Sequence, residues 1–207
     1  MIMTVEVADV IPVNAYFYID DKTKHGFLID PGAEAERLLQ IISEKNFVIE
    51  KILLTHGHFD HIGAVNEIQE NLNIPVIMHE NGKEYACKPS WNLSPYTLGT
   101  DLKLGEVNFL PEGSLITTEN NPDFCVKLIH APGHTTDGAI YYSAKDKVAF
   151  VGDTIFKNGF GRVDFPGGSF EVLMDTIKTK VFTLPEDTKL FCGHGESTTV
   201  GDEKKYF

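Results

Sequence analysis

The stretch His56-Gly-His58-Phe-Asp60-His61 places three imidazoles and one carboxylate within six residues. For a chain with 8 His and 14 Asp in 207 residues, that combination at fixed spacing arises by chance in about one chain in a thousand. Imidazole and carboxylate without thiolate suit zinc, iron or manganese at a hydrolytic site, not a structural four-cysteine zinc site. The segment leaves an apolar run, Lys51-Ile-Leu-Leu54, turns at Gly57 and enters a helix, so neighbouring side chains can face different centres. Two metals about 3.5–4 Å apart need more ligands than one loop holds, and a carboxylate shared between them. Three further candidates are His134 in Ala131-Pro-Gly-His-Thr135, Asp153 in Val151-Gly-Asp-Thr154 and His194 in Cys192-Gly-His-Gly195. Each is preceded by a glycine, which permits the sharp turn and close approach that a crowded site requires.

Each candidate also has a plain structural explanation when taken singly. Asp60 could cap the helix that follows it, Asp153 could belong to a turn, and His134 or His194 could be satisfied polar groups at strand ends. Their occurrence together, in order, favours a site. His25, His79 and His130 lack such a motif and read as solvated or structural. Cys87, Cys125 and Cys192 are odd in number and widely spaced, as expected of free thiols in a reducing compartment. Cys192 lies two residues before His194 but reads as a buried apolar residue, not a nucleophile.

The elements that must position these groups follow from hydrophobic patterning. Val13–Ile19 and Gly26–Ile29 read as strands across a charged turn, and Ala35–Lys45 as a helix with Leu38, Leu39, Ile41 and Ile42 at near-helical spacing. Lys51–Leu54, a helix over Ile62–Leu72 and Pro75–Met78 form a strand, helix, strand unit, and Asn81–Thr100 reads as loop with a helical turn. In the second half Phe124–Ile129, Ala139–Tyr142, Lys147–Val151 and Lys189–Cys192 read as strands, and Phe170–Lys178 as a helix. Strand-rich halves with helices between them predict a layered α/β architecture.

Composition narrows the functions. With 42% hydrophobic and 23% charged residues the chain is globular, and no linker or internal period divides residues 1–207. A formal charge of −12 disfavours nucleic acid as a partner. No apolar run approaches the ~18 residues of a membrane span and no leader pattern opens the chain, so a cytoplasmic protein without membrane association is expected.

These motifs resemble the metallo-β-lactamase superfamily, and within it the short glyoxalase II-like (hydroxyacylglutathione hydrolase-like) proteins. The matching pieces are His56-Gly-His58-Phe-Asp60-His61, Pro132-Gly-His134, Gly152-Asp153-Thr154 and Gly193-His194-Gly195, with Asn14 and Asp30-Pro-Gly32 in the opening strands. The resemblance implies a four-layer αββα sandwich carrying two divalent metal ions, zinc in the first instance with iron or manganese as alternatives. It implies that His56, His58 and His134 hold the first metal, that Asp60, His61 and His194 hold the second, and that Asp153 bridges them. The expected reaction is thioester hydrolysis, with a dimetal-bound hydroxide attacking the carbonyl, Asp60 orienting the nucleophile and a small-molecule thioester as substrate.

Arg162, in Gly161-Arg162-Val-Asp164-Phe165, stands where full-length glyoxalase II enzymes bind the glutathione carboxylate with a basic residue. Two tyrosines of that pattern are replaced by Asp164 and Glu196, and the C-terminal helical domain that supplies further glutathione contacts is expected to be absent. The same Gly161–Phe165 string also resembles persulfide dioxygenases, whose single iron is the alternative reading. A non-catalytic metal-binding module is a third, and it expects ligands to have been lost.

Overall fold

The strand Pro12–Ile19 (β2) is buried along nearly its whole length, because its two faces meet different layers. Ala15, Phe17 and Ile19 point into one hydrophobic cluster, while Tyr16 and Tyr18 point into another. This is the period-2 alternation of a strand covered on both sides. The computed structural model describes all 207 residues and builds two six-stranded sheets around that division.

In the first sheet Ile2–Ala8 (β1), β2 and His25–Ile29 (β3) pair antiparallel. Val48–Leu53 (β4), Val76–His79 (β5) and Val107–Leu110 (β6) continue it in parallel. The second sheet runs from Leu115–Thr117 (β7) through Cys125–His130 (β8), Ala139–Ser143 (β9), Val148–Gly152 (β10) and Lys189–Cys192 (β11) to Thr198–Thr199 (β12). β8 and β10 each pair antiparallel with β9, and β11 pairs parallel with β10. The three therefore run in one direction.

Helices cover both outer faces. Ala35–Lys45 (α1) presents Leu38 and Ile42, and a later helix presents Val65 and Ile68, to the first sheet's outer cluster. Phe170–Thr176 and the π-helical turn Ile177–Val181 bring Leu173, Ile177 and Val181 to the second sheet's outer cluster. The cluster between the sheets is aromatic, with Tyr16, Phe150 and Phe191 in mutual contact at ring separations of 5.3–5.4 Å. Each such fully buried side chain contributes about 1.5–3 kcal/mol of transfer free energy. The result is the αββα order that the resemblance implies.

Three local differences from the sequence reading have physical reasons. The single helix expected over Ile62–Leu72 is broken into Phe59–Ile62 (α2) and Val65–Leu72 (α3). At the break Gly63 lies so close to Gly32 that a Cβ would meet its carbonyl oxygen at 2.2 Å, and Ala64 N–H donates to the Pro31 carbonyl. Asp60 does not cap the helix, since it sits inside α2 and His58 is the capping position. The stretch expected as loop from Asn81 folds into three short helices, Lys83–Cys87, Pro89–Asn92 and Ser94–Thr97 (α4 to α6). They are held by Asn92, whose buried amide donates to the Tyr85 and Leu102 carbonyls, a non-periodic signal that hydrophobic spacing does not carry. The helices Phe170–Thr176 and Val200–Glu203 are α7 and α8.

Candidate metal centre

β4 of the first sheet and β8, β10 and β11 of the second all deliver their C-terminal ends to one edge of the sandwich. In parallel-strand folds, ligand crevices form at such ends. Gly152 pairs with Cys192 across β10 and β11, so the residues after them, Asp153 and His194, emerge side by side. The two sheets are tied there by Asn14 N–H to the Gly193 carbonyl and Ala139 N–H to the Thr55 carbonyl, at 2.8 and 2.7 Å. Glycine is required at two points. Gly152 has φ of +50°, and a Cβ on Gly193 would stand 2.2 Å from Asp153 Oδ1 and 2.7 Å from His61 Cε1.

All seven residues expected as ligands converge at this edge. His58 Nδ1 lies 3.1 Å from His56 Nε2 and 3.0 Å from His134 Nε2. His194 Nε2 lies 3.4 Å from Asp60 Oδ2 and 3.4 Å from Asp153 Oδ2, and His61 Nε2 lies 3.4 Å from Asp153 Oδ1. Asp153 Oδ2 also faces His134 Nε2 at 3.6 Å, so this carboxylate stands between the two sets. The donor atoms of His56, His58 and His134 form one group that could hold a metal ion, and those of Asp60, His61 and His194 form another. An ion with bonds of about 2.0–2.1 Å in tetrahedral geometry sets its ligand atoms roughly 3.3 Å apart, which these separations straddle. His61 Nε2 and Asp153 Oδ1 are buried and have no hydrogen-bond partner. Orphaned polar atoms are costly to bury, and a cation between them would satisfy both, so the residues fit the metals.

The outer ring nitrogens explain why the inner ones face each other. His134 Nδ1 donates to the Arg162 carbonyl at 2.6 Å, His194 Nδ1 to the Pro12 carbonyl at 2.6 Å and His61 Nδ1 to Asp30 Oδ2 at 2.9 Å. With Nδ1–H held in these bonds, Nε2 is the nitrogen that each ring can free for a metal. Asp30, quoted in the sequence only as part of Asp30-Pro-Gly32 and given no role there, supports His61 in the structure. Its buried carboxylate also accepts from Thr55 N–H and Thr55 Oγ1–H at 2.8 and 2.6 Å. The available signal was the end of β3 at Asp30-Pro-Gly32, where Asp30 takes a positive φ of 49°. Asp30→Asn tolerates that backbone but gives His61 a weaker acceptor. Metal affinity is expected to fall about 10–100-fold, read by competition with a chromogenic chelator.

The electrostatics separate the two sets. Burial holds His56 well below its usual pKa and takes His58 down to about 3, with the neighbouring imidazoles adding to the effect, so both are neutral. Burial alone would depress His61 and His194 too. The carboxylates Asp153, Asp30 and Asp60 outweigh it at His61, and bonds to Asp153 and Asp60 take His194 up to about 10. Without cations, protons on these two rings balance the acids. Arg162 lines the same cleft of about 440 Å³, but its guanidinium is directed at Asp164, with Nε to Oδ1 and Nη2 to Oδ2 both at 2.7 Å. His79 and His130 stack on each other 3.9 Å apart, and His25 Nδ1 bonds Glu50. The structure brings none of these three into the cluster.

A layered α/β fold with an imidazole and carboxylate cluster at the shared strand edge defines a metallo-hydrolase class of protein. The chain belongs to the metallo-β-lactamase superfamily, whose sequence profile matches residues 8–194. It is 36% identical over 204 residues to hydroxyacylglutathione hydrolase GloC of Haemophilus influenzae, covering 95% of this chain and 94% of the relative. Among solved structures it resembles the BLEG-1 B3 metallo-β-lactamase, with a TM-score of 0.92 and 33% identity over 99% of this chain and 97% of the other. It also resembles TTHA1623 in a di-iron-bound form, with a TM-score of 0.86 and 30% identity over 99% and 98% of the two chains. No helix is long and apolar enough to cross a membrane.

Proposed function

We propose that residues 1–207 form one catalytic domain that hydrolyses small-molecule thioesters, with His56, His58 and His134 holding one divalent cation, Asp60, His61 and His194 a second, and Asp153 shared. The observation that carries this reading is the Asp153 carboxylate lying between two ligand sets, within 3.4–3.6 Å of His61, His134 and His194. The likeness to a hydroxyacylglutathione hydrolase supports the choice of thioesters. When bound, two dications acidify a water and stabilise developing negative charge on a carbonyl oxygen.

The chain's own groups do the remainder. Asp60 lines the cleft; although burial opposes its ionisation, His61 and His194 keep its pKa below the ordinary value. As a carboxylate at neutral pH, Asp60 accepts a hydrogen bond from the attacking water and sets its direction. Phe59, Phe156 and Phe165 wall the cleft and give a bound substrate a less polar surrounding than water, in which charge interactions are stronger.

Cation uptake has a signed pH dependence. His194, with a pKa raised to about 10, and His61, also raised, are protonated at pH 7 in the metal-free chain, and each must lose its proton to become a ligand. Binding is therefore expected to release protons at pH 7 and to weaken as pH falls. Calorimetric titration with zinc in buffers of different ionisation enthalpy reads the number released, and a value of zero contradicts the assignment. The function itself is tested by incubating the zinc-, iron- and manganese-loaded protein with a panel of acyl thioesters and a β-lactam. Thioester turnover supports the proposal; none with any metal overturns it.

A further inference from the structure

The cleft contains one permanent cation, Arg162; outside the ligand cluster the rest of its lining is Thr97 and the apolar side chains Ile11, Phe59, Phe156, Phe160 and Phe165. Arg162 is not free. Its planar guanidinium makes two bonds to Asp164, and its Cζ lies over the Phe165 ring, 3.9 Å from the centroid. Asp164 is exposed and two residues away in sequence, and the guanidinium itself lowers its pKa to about 2, so the partner stays ionised across the whole working range. Lys157, which follows the lining residue Phe156, is paired with Glu196. Phe160 is supported from outside by Phe170 and Phe207, at ring separations of 5.8 and 6.0 Å.

From this arrangement we infer that the cleft selects thioesters whose thiol portion carries no carboxylate, and that Asp164 is the specificity-determining residue because it occupies the only guanidinium. The inference rests on the thioester reading for the identity of the reacting bond, but not for the charge preference. A bidentate arginine–carboxylate pair is among the stronger polar contacts at a protein surface. A ligand carboxylate would compete with one that is tethered, and so present at a high effective concentration. An apolar acyl or thiol group instead gains contact with Ile11, Phe156 and Phe160.

The test uses the metal-loaded protein and two non-hydrolysable thioethers, S-benzyl-N-acetylcysteamine, which is neutral, and S-benzyl-3-mercaptopropionate, which carries a carboxylate. Titration calorimetry is expected to give tighter binding of the neutral thioether by the parent chain. In Asp164→Asn, and again in Asp164→Ser, the ratio is expected to shift about tenfold toward the carboxylate, as Arg162 becomes available. A parent chain that prefers the carboxylate, a ratio that both variants leave unchanged, or failure of both thioethers to bind overturns the inference. The matching acyl thioesters are assayed in parallel. If neither is hydrolysed while the binding ratio shifts as stated, the thioesterase reading fails and the charge selectivity stands.

Discussion

Asp153→Asn is expected to retain fewer than two equivalents of metal and to lose more than ~100-fold in kcat/KM, a larger loss than the 10–100-fold typical of residues that only support a ligand. The substitution keeps the volume and shape of the side chain, so packing beside Gly152 and Gly193 is preserved. What changes is charge and donor capacity. Asp153 is buried, which by itself would raise its pKa, but His61, His194 and His134 hold it well below the ordinary carboxylate value. It is therefore an anion that offers both oxygens to the cluster, Oδ1 to His61 and Oδ2 to His134 and His194. An amide offers one neutral oxygen and turns two N–H donors toward ring nitrogens. Elemental analysis of the variant beside its kcat/KM reads both effects, with far-ultraviolet circular dichroism to verify the fold. Two retained equivalents with parental turnover would refute the shared role.

Removing the metals is expected to lower the melting temperature by about 10 °C. Ions present at a thousandfold their dissociation constant add about 4 kcal/mol to a fold that binds them only when native, and in a chain of this size each kcal/mol is worth roughly 2–4 °C. The physical source is local. The site joins loops from both sheets at one edge, and without cations Asp30, Asp60 and Asp153 are gathered around His61, with only His61 and His194 as nearby counter-charges. Calorimetric scans before and after chelation, and after zinc is returned, measure the change. An unaltered transition in fully stripped protein contradicts it.

The convergence of the candidate centre was legible in the sequence because the residues expected as ligands lie on short motifs that follow strands. A histidine or aspartate one or two residues beyond an apolar run is carried to the sheet edge by the strand itself, and the glycines at 133, 152 and 193 mark where backbones must approach. The layered fold was legible because β2 reads as a β-rich run and β10 as a continuous apolar one, with helical spacing between strands. The break at Gly63 was not, because it depends on the Gly32 backbone some thirty residues away. The short strands β6 and β7 were too brief for periodicity to register. Asp30 carried no assigned role in the sequence because only the fold brings it, 31 residues away, to His61. The Arg162–Asp164 pair lies at a spacing of two residues, but only the structure shows the guanidinium turned to that carboxylate within the cleft lining.

The most direct test of the two-cation hydrolase is a titration of stripped protein with zinc, following turnover of a neutral acyl thioester against metal bound per chain. Activity is expected to rise to a plateau at two equivalents, with no oxygen consumed. Full activity at a single equivalent, or oxygen uptake with a single bound iron, would contradict it.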